Sequence, residues 1–425
     1  MSGSNQPATG ERAPSLGRQF NLLWAGQSVS NIGDRITLLV IPTLMIFALD
    51  ASAFEVGLVS MAQYLAIPVL ALVAGGLVDR WDLRALLITC DLVRFGAIAL
   101  VPVAYWAGFL TIPLLFCCVV VVSASTVFFT TGYIPAVTAI VPKADLVRAN
   151  SRLEASRTTA ELGGPALAGW LYNAFGAASL LVDAATYLFS AACLKVMRPC
   201  GGRGGSGATL WSRLAVGIRA NLRHPVLRKS TAGTLLANIG GPIFVTQLPV
   251  LAYQGLHLSA GTYGTVMSVA AVGSVVGAVL APRVSRRFGT GRVLAWAMVL
   301  HSASGLGVLF TTSAPAPVVL ALTMASYGWF FAWYNICSSA VRQEHMPVAD
   351  QAVITGAYRT VTWGVIPVSV FVGGAVVSLL ARSMDIRTAA TVTMVCATVI
   401  GISSYIPLRS MQSLLERSRT EELVA

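Results

Sequence analysis

Gln27, Asn31 and Asp34 recur four and three residues apart inside an apolar stretch, so on a helix they share one face. Asp34 and Arg35 begin about 14 residues into that stretch, roughly 20 Å deep at ~1.5 Å per residue. A charge at such depth is costly, which makes it a functional candidate. The shared face would line a wet cavity, with Gln27 and Asn31 as contacts for a small molecule and Asp34 as the site of a proton or a cationic ligand. The competing reading is a structural charge pair between Asp34 and an arginine of another helix. Glu154, Arg157 and Glu161 form a second face, spaced three and four apart, on which Arg157 can pair with either carboxylate. Glu161 lies deepest, two residues before Gly163-Gly164-Pro165, and is the second candidate for proton coupling. A purely structural ion-pair triad is the alternative. Asp91 and Arg94, one turn apart, are expected to pair with each other or with neighbouring loops. Asp183 is placed near an outer membrane boundary.

Tyr327 and Tyr334 are seven apart, so one helix face holds both, with Trp333 beside them. Tyrosines on a cavity wall suit a large apolar or aromatic ligand; packing and lipid contact are the alternative. Asn238, with Thr231 and Thr234, makes a polar stripe expected on the same wall. Enzyme chemistry finds no support. The glycine-rich run at 201–207 lacks the GxxxxGK[ST] pattern of a phosphate loop, and His224, His257, His301 and His345 are scattered. None of the seven cysteines has zinc-ligand spacing, and they read as small hydrophobes. No metal site and no organic cofactor is expected, and a proton gradient would be the energy source.

The elements that must hold these residues are membrane helices. Hydrophobic residues make up 56% of the 425-residue chain and charged residues only 11%, against ~25% in soluble domains. Apolar runs of about 20 residues, enough to span a bilayer, occur repeatedly. The first half offers spans at 20–49, 54–78, 84–106, 112–140, 150–173 and 177–197. The second offers 230–254, 260–284, 291–312, 316–340, 350–380 and 387–408. Stretches such as Ala66 to Val78 are continuously apolar, unlike barrel strands, which alternate. The expectation is therefore an all-α integral membrane protein of twelve helices. The polar start at 1–19 reads as a disordered tail, with no cleavable signal peptide.

The net charge of +12 is no nucleic-acid signature, because its placement follows the membrane. With both termini on one side, 23 of the Lys and Arg residues fall on that side and two, Arg382 and Arg387, on the other. Arg35, Arg94, Arg157 and Arg359 remain at membrane depth. The positive-inside rule then puts both termini in the cytoplasm, which requires an even number of spans. The stretch 198–229 breaks the apolar pattern. It opens on glycines and continues with Leu210, Leu214, Ile218 and Leu222 at helical spacing among arginines. It reads as a linker, either with an interfacial amphipathic helix on anionic lipid or simply solvated. The flanking segments repeat weakly. Val141-Pro142-Lys143-Ala144-Asp145 answers to Met346-Pro347-Val348-Ala349-Asp350, and Arg157 and Pro165 answer to Arg359 and Pro367. Two six-helix halves, 20–197 and 230–408, with a tail at 409–425, would place a ligand site between them near the midplane.

Four passages carry a resemblance to a known family. They are Phe20-Asn21-Leu22-Leu23-Trp24-Ala25-Gly26-Gln27 with Ser30 to Asp34, Gly76 to Arg84, Val141 to Asn150, and Gly163-Gly164-Pro165-Ala166-Leu167-Ala168-Gly169. From about 18 to 410 the chain resembles the major facilitator superfamily, most of all its enterobactin-exporter and macrolide-efflux-like branch. The second passage is similar to the family's cytoplasmic latch, which implies a conformational role for Asp79, Arg80 and Arg84. Asp82 and Leu83 stand where the family usually has Gly and a basic residue. The fourth looks like the Gly-Pro motif of drug/proton antiporters, which assigns gating to Gly164 and Pro165, with Arg157 and Arg359 as matched partners. The resemblance implies a monomeric, proton-coupled exporter of an amphipathic small molecule in a bacterial plasma membrane. Uptake or lipid flipping on the same fold, and a non-transporting membrane receptor, are the other readings.

Overall fold

The structure, a computed structural model, describes residues 16–78, 81–142, 145–198, 210–346 and 351–424. In lipid the backbone must satisfy itself, and the apolar runs do so as helices. The first six are α1 (Arg18–Ala48), α2 (Ala53–Val78), α3 (Leu83–Trp106), α4 (Ile112–Ile140), α5 (Leu146–Phe175) and α6 (Leu180–Val196). A short helix, α7 (Leu210–Arg223), leads to α8 (Pro225–Val250), α9 (Ala260–Phe288), α10 (Thr290–Ser304) and α11 (Ala316–Glu344). Then follow α12 (Gln351–Trp363), α13 (Ile366–Leu380), α14 (Ile386–Ile402), α15 (Tyr405–Leu408) and α16 (Met411–Val424). Side-chain caps begin several of them: Asp82 accepts from the Ala85 amide at 2.9 Å, and Asp385 from that of Thr388 at 2.9 Å.

Among the described residues, ten helical stretches are long and apolar enough to cross a membrane. One of these, Arg148–Val196, is 49 residues long. At ~1.5 Å per residue that is more than twice the ~30 Å hydrocarbon core. The 3₁₀ turn Gly176–Ser179 interrupts it, with Gly176 at φ +56° supplying the left-handed backbone. The single span expected at 350–380 is present as one apolar stretch, Val353–Leu380, in which a turn at Gly364-Val365 parts α12 from α13. Pro367 brings no N–H to the Trp363 carbonyl four residues back. Pro165 has the same defect, yet α5 runs through it unbroken.

The helices pack in two groups. In the first, α1 lies against α5 and α6, α3 against α4 and α6, and α2 against α4. In the second, α9 and α10 pack on α11, and α8 on α13 and α14. Gly273, Gly277 and Gly328 let the backbones of α9 and α11 touch: a Cβ on any of them would collide with a carbonyl of the other helix. One apolar core, including Leu44 and Val56 of the first group and Phe244, Leu248 and Tyr263 of the second, continues across both. It occupies the end of the molecule opposite residue 18. At the near end each group has its own core, around Phe20 and Leu87 in one and around Met298 and Val341 in the other.

Candidate functional site

Two tight seams join the groups at the far end. On α2, the Phe54 amide donates to the Ser378 hydroxyl of α13 at 2.7 Å, and Gly57 rests on Gly374. On α5, the Ala166 amide donates to Ser268 of α9 at 3.0 Å, and the Pro165 carbonyl abuts Gly264. The Thr43 hydroxyl of α1 meets the Tyr253 hydroxyl, at the end of α8, at 2.9 Å. Packed glycines and hydroxyl contacts close this end without burying a charge.

Towards the near end, α1 presents two faces. On one, Gln27 donates to Asn31 at 3.0 Å. Further along, Arg35 packs its stem on Gly164 of α5 and reaches Glu161 Oε1 at 2.8 Å. Arg157 reaches the same oxygen at 2.7 Å and forks onto Glu154 at 2.6 and 3.0 Å. Four side chains thus form one alternating chain from α1 to α5, and Glu161 Oε1 is its shared link. The fork is bidentate, the arrangement that guanidinium geometry favours. Each member is partly open to solvent, Arg35 and Glu161 at 31% and 33%, so the chain faces space and not core.

The second face carries Asp34, which borders an internal cavity together with Arg35. Asp34 Oδ1 accepts the Tyr187 hydroxyl of α6 at 2.6 Å. Asp34, Thr37, Gln63, Ser123 and Tyr187 help to line a cavity of ≈ 270 Å³. Behind Tyr187, Arg94 pairs with Asp91, both almost wholly buried. The Arg94 guanidinium lies 4.2 Å from the ring centre of Phe129 and 4.6 Å from that of Tyr187, two cation–π contacts that substitute for water. Asp183, expected at a membrane boundary, is instead fully buried at the level of Thr37, to whose hydroxyl it bonds. The sequence reading missed Tyr187 and Thr37. The signal was there: Tyr187 is four residues after Asp183 and Thr37 three after Asp34, which puts each pair on one helix face.

The second group offers hydroxyls and rings. Tyr334 OH meets Thr234 Oγ1 at 2.6 Å and Tyr358 OH at 3.3 Å, and Tyr358 donates to Thr234 at 2.8 Å. Asn238 donates to the Thr362 carbonyl at 2.7 Å, which ties α8 to the end of α12. Tyr327 stacks on Phe244 with ring centres 5.6 Å apart and leans on His301 at 3.9 Å. The structure does not gather the three α11 residues on one wall. Trp333 donates to the Gly277 carbonyl at 2.9 Å and belongs to the α9–α11 seam, while Tyr334 is buried. Arg359 is exposed and lies over the Trp363 indole at 6.0 Å, unlike its repeat partner Arg157. Arg84 anchors α3 to the end of α6 by bonding the carbonyls of Leu194 and Lys195. Asp79 and Arg80 lie outside the described residues.

A bundle of long apolar helices, closed at one end and carrying charge beside an internal cavity, defines a multi-pass membrane transporter. The profile of the Major Facilitator Superfamily matches residues 23–370, and the chain belongs to that family. It is similar to the uncharacterized MFS-type transporter YjbB of Bacillus subtilis (strain 168), 25% identical over 389 residues, which cover 86% of this chain and 91% of the relative. The match to YfiS of the same organism, also an uncharacterized MFS-type transporter, is 27% identical over 181 residues and spans 40% of each chain. In fold the chain resembles the nucleoside transporter NupG (TM-score 0.76, 14% identity, 92% of this chain and 98% of that one). It also resembles a bacterial homologue of the iron transporter ferroportin in its inward-facing state (TM-score 0.67, 17% identity, 92% and 100%).

Proposed function

We propose that this protein is a proton-coupled secondary transporter that exports an amphipathic small molecule by alternating access. The observation that carries the reading is Glu161 Oε1, which accepts from Arg35 of α1 and Arg157 of α5 at once. A proton on that oxygen removes the charge that links Arg35 to Arg157 and loosens α1 from α5 at that point, while Arg157 stays on Glu154. Asp34, on the cavity wall beside Arg35, is the second coupling carboxylate. Proton uptake at these two groups shifts the balance between conformations only by its difference in affinity for them. Gly164 and Pro165 sit where α5 meets Arg35 and α9, and serve the rocking of the groups together with Arg157, Arg359 and the Asp79–Arg80–Arg84 latch. Gln27, Asn31, Asn238 and Tyr327 are the proposed substrate contacts; Trp333, held in the α9–α11 seam, and the buried Tyr334 are not among them.

The reading includes twelve membrane crossings in two six-helix halves and cytoplasmic termini in a bacterial plasma membrane. The far end, where the apolar core is shared, is then the outer side, and the conformation faces inward. An amphipathic cargo such as a siderophore or macrolide fits the exporter branch that the sequence resembles. The neighbours named for nucleosides and for iron mark how widely cargo varies on this fold.

The test is compound accumulation in an efflux-deficient bacterium expressing wild type, Asp34→Asn or Glu161→Gln, with and without a protonophore. Wild type should lower accumulation of at least one siderophore or macrolide, the protonophore should abolish this, and each folded variant should fail. A broad panel with no compound excluded, or exclusion that ignores the proton gradient, would sink the reading. Net flux in oriented vesicles separates export from uptake or lipid flipping, and saturable binding without counterflow would mark a receptor.

A further inference from the structure

Asp183 is left unused by the cycle above. It stands in the first turn of α6, fully buried. A carboxylate taken out of water needs a cation in contact or a full set of donors. The four ion pairs described here do not include it. Arg94, the nearby cation, is engaged by Asp91 and by two aromatic faces.

The partners of its two oxygens are hydroxyls. Thr37 of α1 bonds Oδ2. Thr186 Oγ1 lies 3.1 Å from Oδ1 but 2.7 Å from the carbonyl oxygen of Asp183 itself. A hydroxyl has one hydrogen, and the shorter contact takes it. The Oδ1 contact is therefore satisfied when the carboxyl oxygen carries the hydrogen and Thr186 accepts. Gly33 of α1 closes this side, since a Cβ there would collide with Asp183 and Thr186.

The same device occurs nearby with roles exchanged. Asp34 of α1 accepts from Tyr187 of α6, and Asp183 of α6 accepts from Thr37 of α1. The two helices clasp each other through a carboxyl and a hydroxyl apiece. The difference is access to water. Asp34, Thr37 and Tyr187 line the cavity, and Asp183 lies behind Thr37. The charged and titratable groups that face Asp183 are Asp34 from α1, Arg94 from α3, and Tyr187 from its own helix. With Asp91, three carboxyls surround one guanidinium.

We propose that Asp183 holds a proton in this conformation and releases it to the cavity when α1 and α6 part at Thr37. The O–H bond of the Asp183 carboxyl breaks, cavity water takes the proton, and the carboxylate keeps the electron pair while Thr186 turns its hydrogen from the Asp183 carbonyl to Oδ1. Asp183 then joins Asp34 and Glu161 as a third proton carrier, and Thr37 is its gate. The inference rests on the proton-coupled reading of the same site.

Infrared spectra of the purified full-length protein in lipid nanodiscs test it through the carbonyl stretch of a protonated carboxyl. At neutral pH wild type should show a buried protonated-carboxyl band, which Asp183→Asn should abolish and Asp34→Asn should retain. Asp183→Glu, a milder change should the amide not fold, should shift the band in frequency. Thr37→Val should slow its exchange in deuterated water. A wild type without the band, or a band that survives Asp183→Asn or stays unshifted in Asp183→Glu, overturns the proposal. So does a band lost on adding sodium or a divalent cation at constant pH, because a metal ion then occupies the carboxylate. No cargo is needed. Failure of the whole efflux panel would remove the export reading and leave the band standing, whereas protonophore-sensitive efflux without the band would remove this inference alone.

Discussion

The two helix groups are built alike in outline and differently in chemistry. Inside the first, carboxylates and guanidiniums meet at Asp91–Arg94 and along Arg35–Glu161–Arg157–Glu154. The contacts described at the same depth in the second are the Tyr334–Thr234–Tyr358 hydroxyls, the Tyr327–His301 ring pair and the glycine seam of α9 and α11. The sequence mirrors this: no Asp or Glu occurs between Asp183 and Glu344. Charge inside a membrane is costly and kept where it acts. The first group therefore carries the carboxyls that the proposed coupling would use, and the second meets it with hydroxyls, rings and glycines.

The largest effect that can break this comparison is Arg94→Ala. Removing one member of a buried pair leaves Asp91 uncompensated, and should cost about 3–5 kcal/mol, read as lost folded protein in a denaturant titration in detergent. Asp91→Asn combined with Arg94→Met should recover most of it, because a buried pair adds little beyond its own desolvation. Equal damage from the single and double variants would mean that the pair does more than neutralise itself. In the second group Gly277→Ala forces a Cβ onto the Trp329 carbonyl, and should cost ~1–3 kcal/mol by overpacking, with α9–α11 cross-linking as a local readout. Tyr334→Phe removes one hydroxyl from a three-way cluster and should cost about 0.5–1.5 kcal/mol, with no change in any proton-dependent signal. Glu154→Gln is the smallest. Its side chain is 61% exposed, so the loss should stay under ~1 kcal/mol, while Glu161→Gln at the shared link should abolish the proposed coupling.

The helical bundle was legible because apolar runs near bilayer length leave the chain few other choices. The faces of α1 and α5 were legible from spacing, and the Glu154–Arg157–Glu161 contacts follow it residue by residue. What spacing could not supply was the partner on another helix. Arg35 reaching Glu161 and Tyr187 reaching Asp34 are separated by 126 and 153 residues. Depth was also hidden. The 3₁₀ turn before Leu180 sets the start of α6 against the middle of α1, so Asp183 is far more deeply buried than its place near a span end suggested. Nor could proline alone distinguish α5 from α12–α13. Pro165 is held by α9, through the carbonyl contact to Gly264 and the Ala166–Ser268 hydrogen bond, whereas Pro367 follows a glycine at the break.

The link between the groups has a consequence for the making of the protein. Asn221 of α7 donates to the Ile354 carbonyl of α12, and Gly217 nests against Val353 and Ala357 of the same helix. The two ends of that hydrogen bond are 133 residues apart. At ~5–20 residues per second of synthesis, α7 waits about 7 to 27 s for the helix that receives it. During that interval the Asn221 amide has only the Gly217 carbonyl of its own helix to bond, while four helices, α8 to α11, are made behind it.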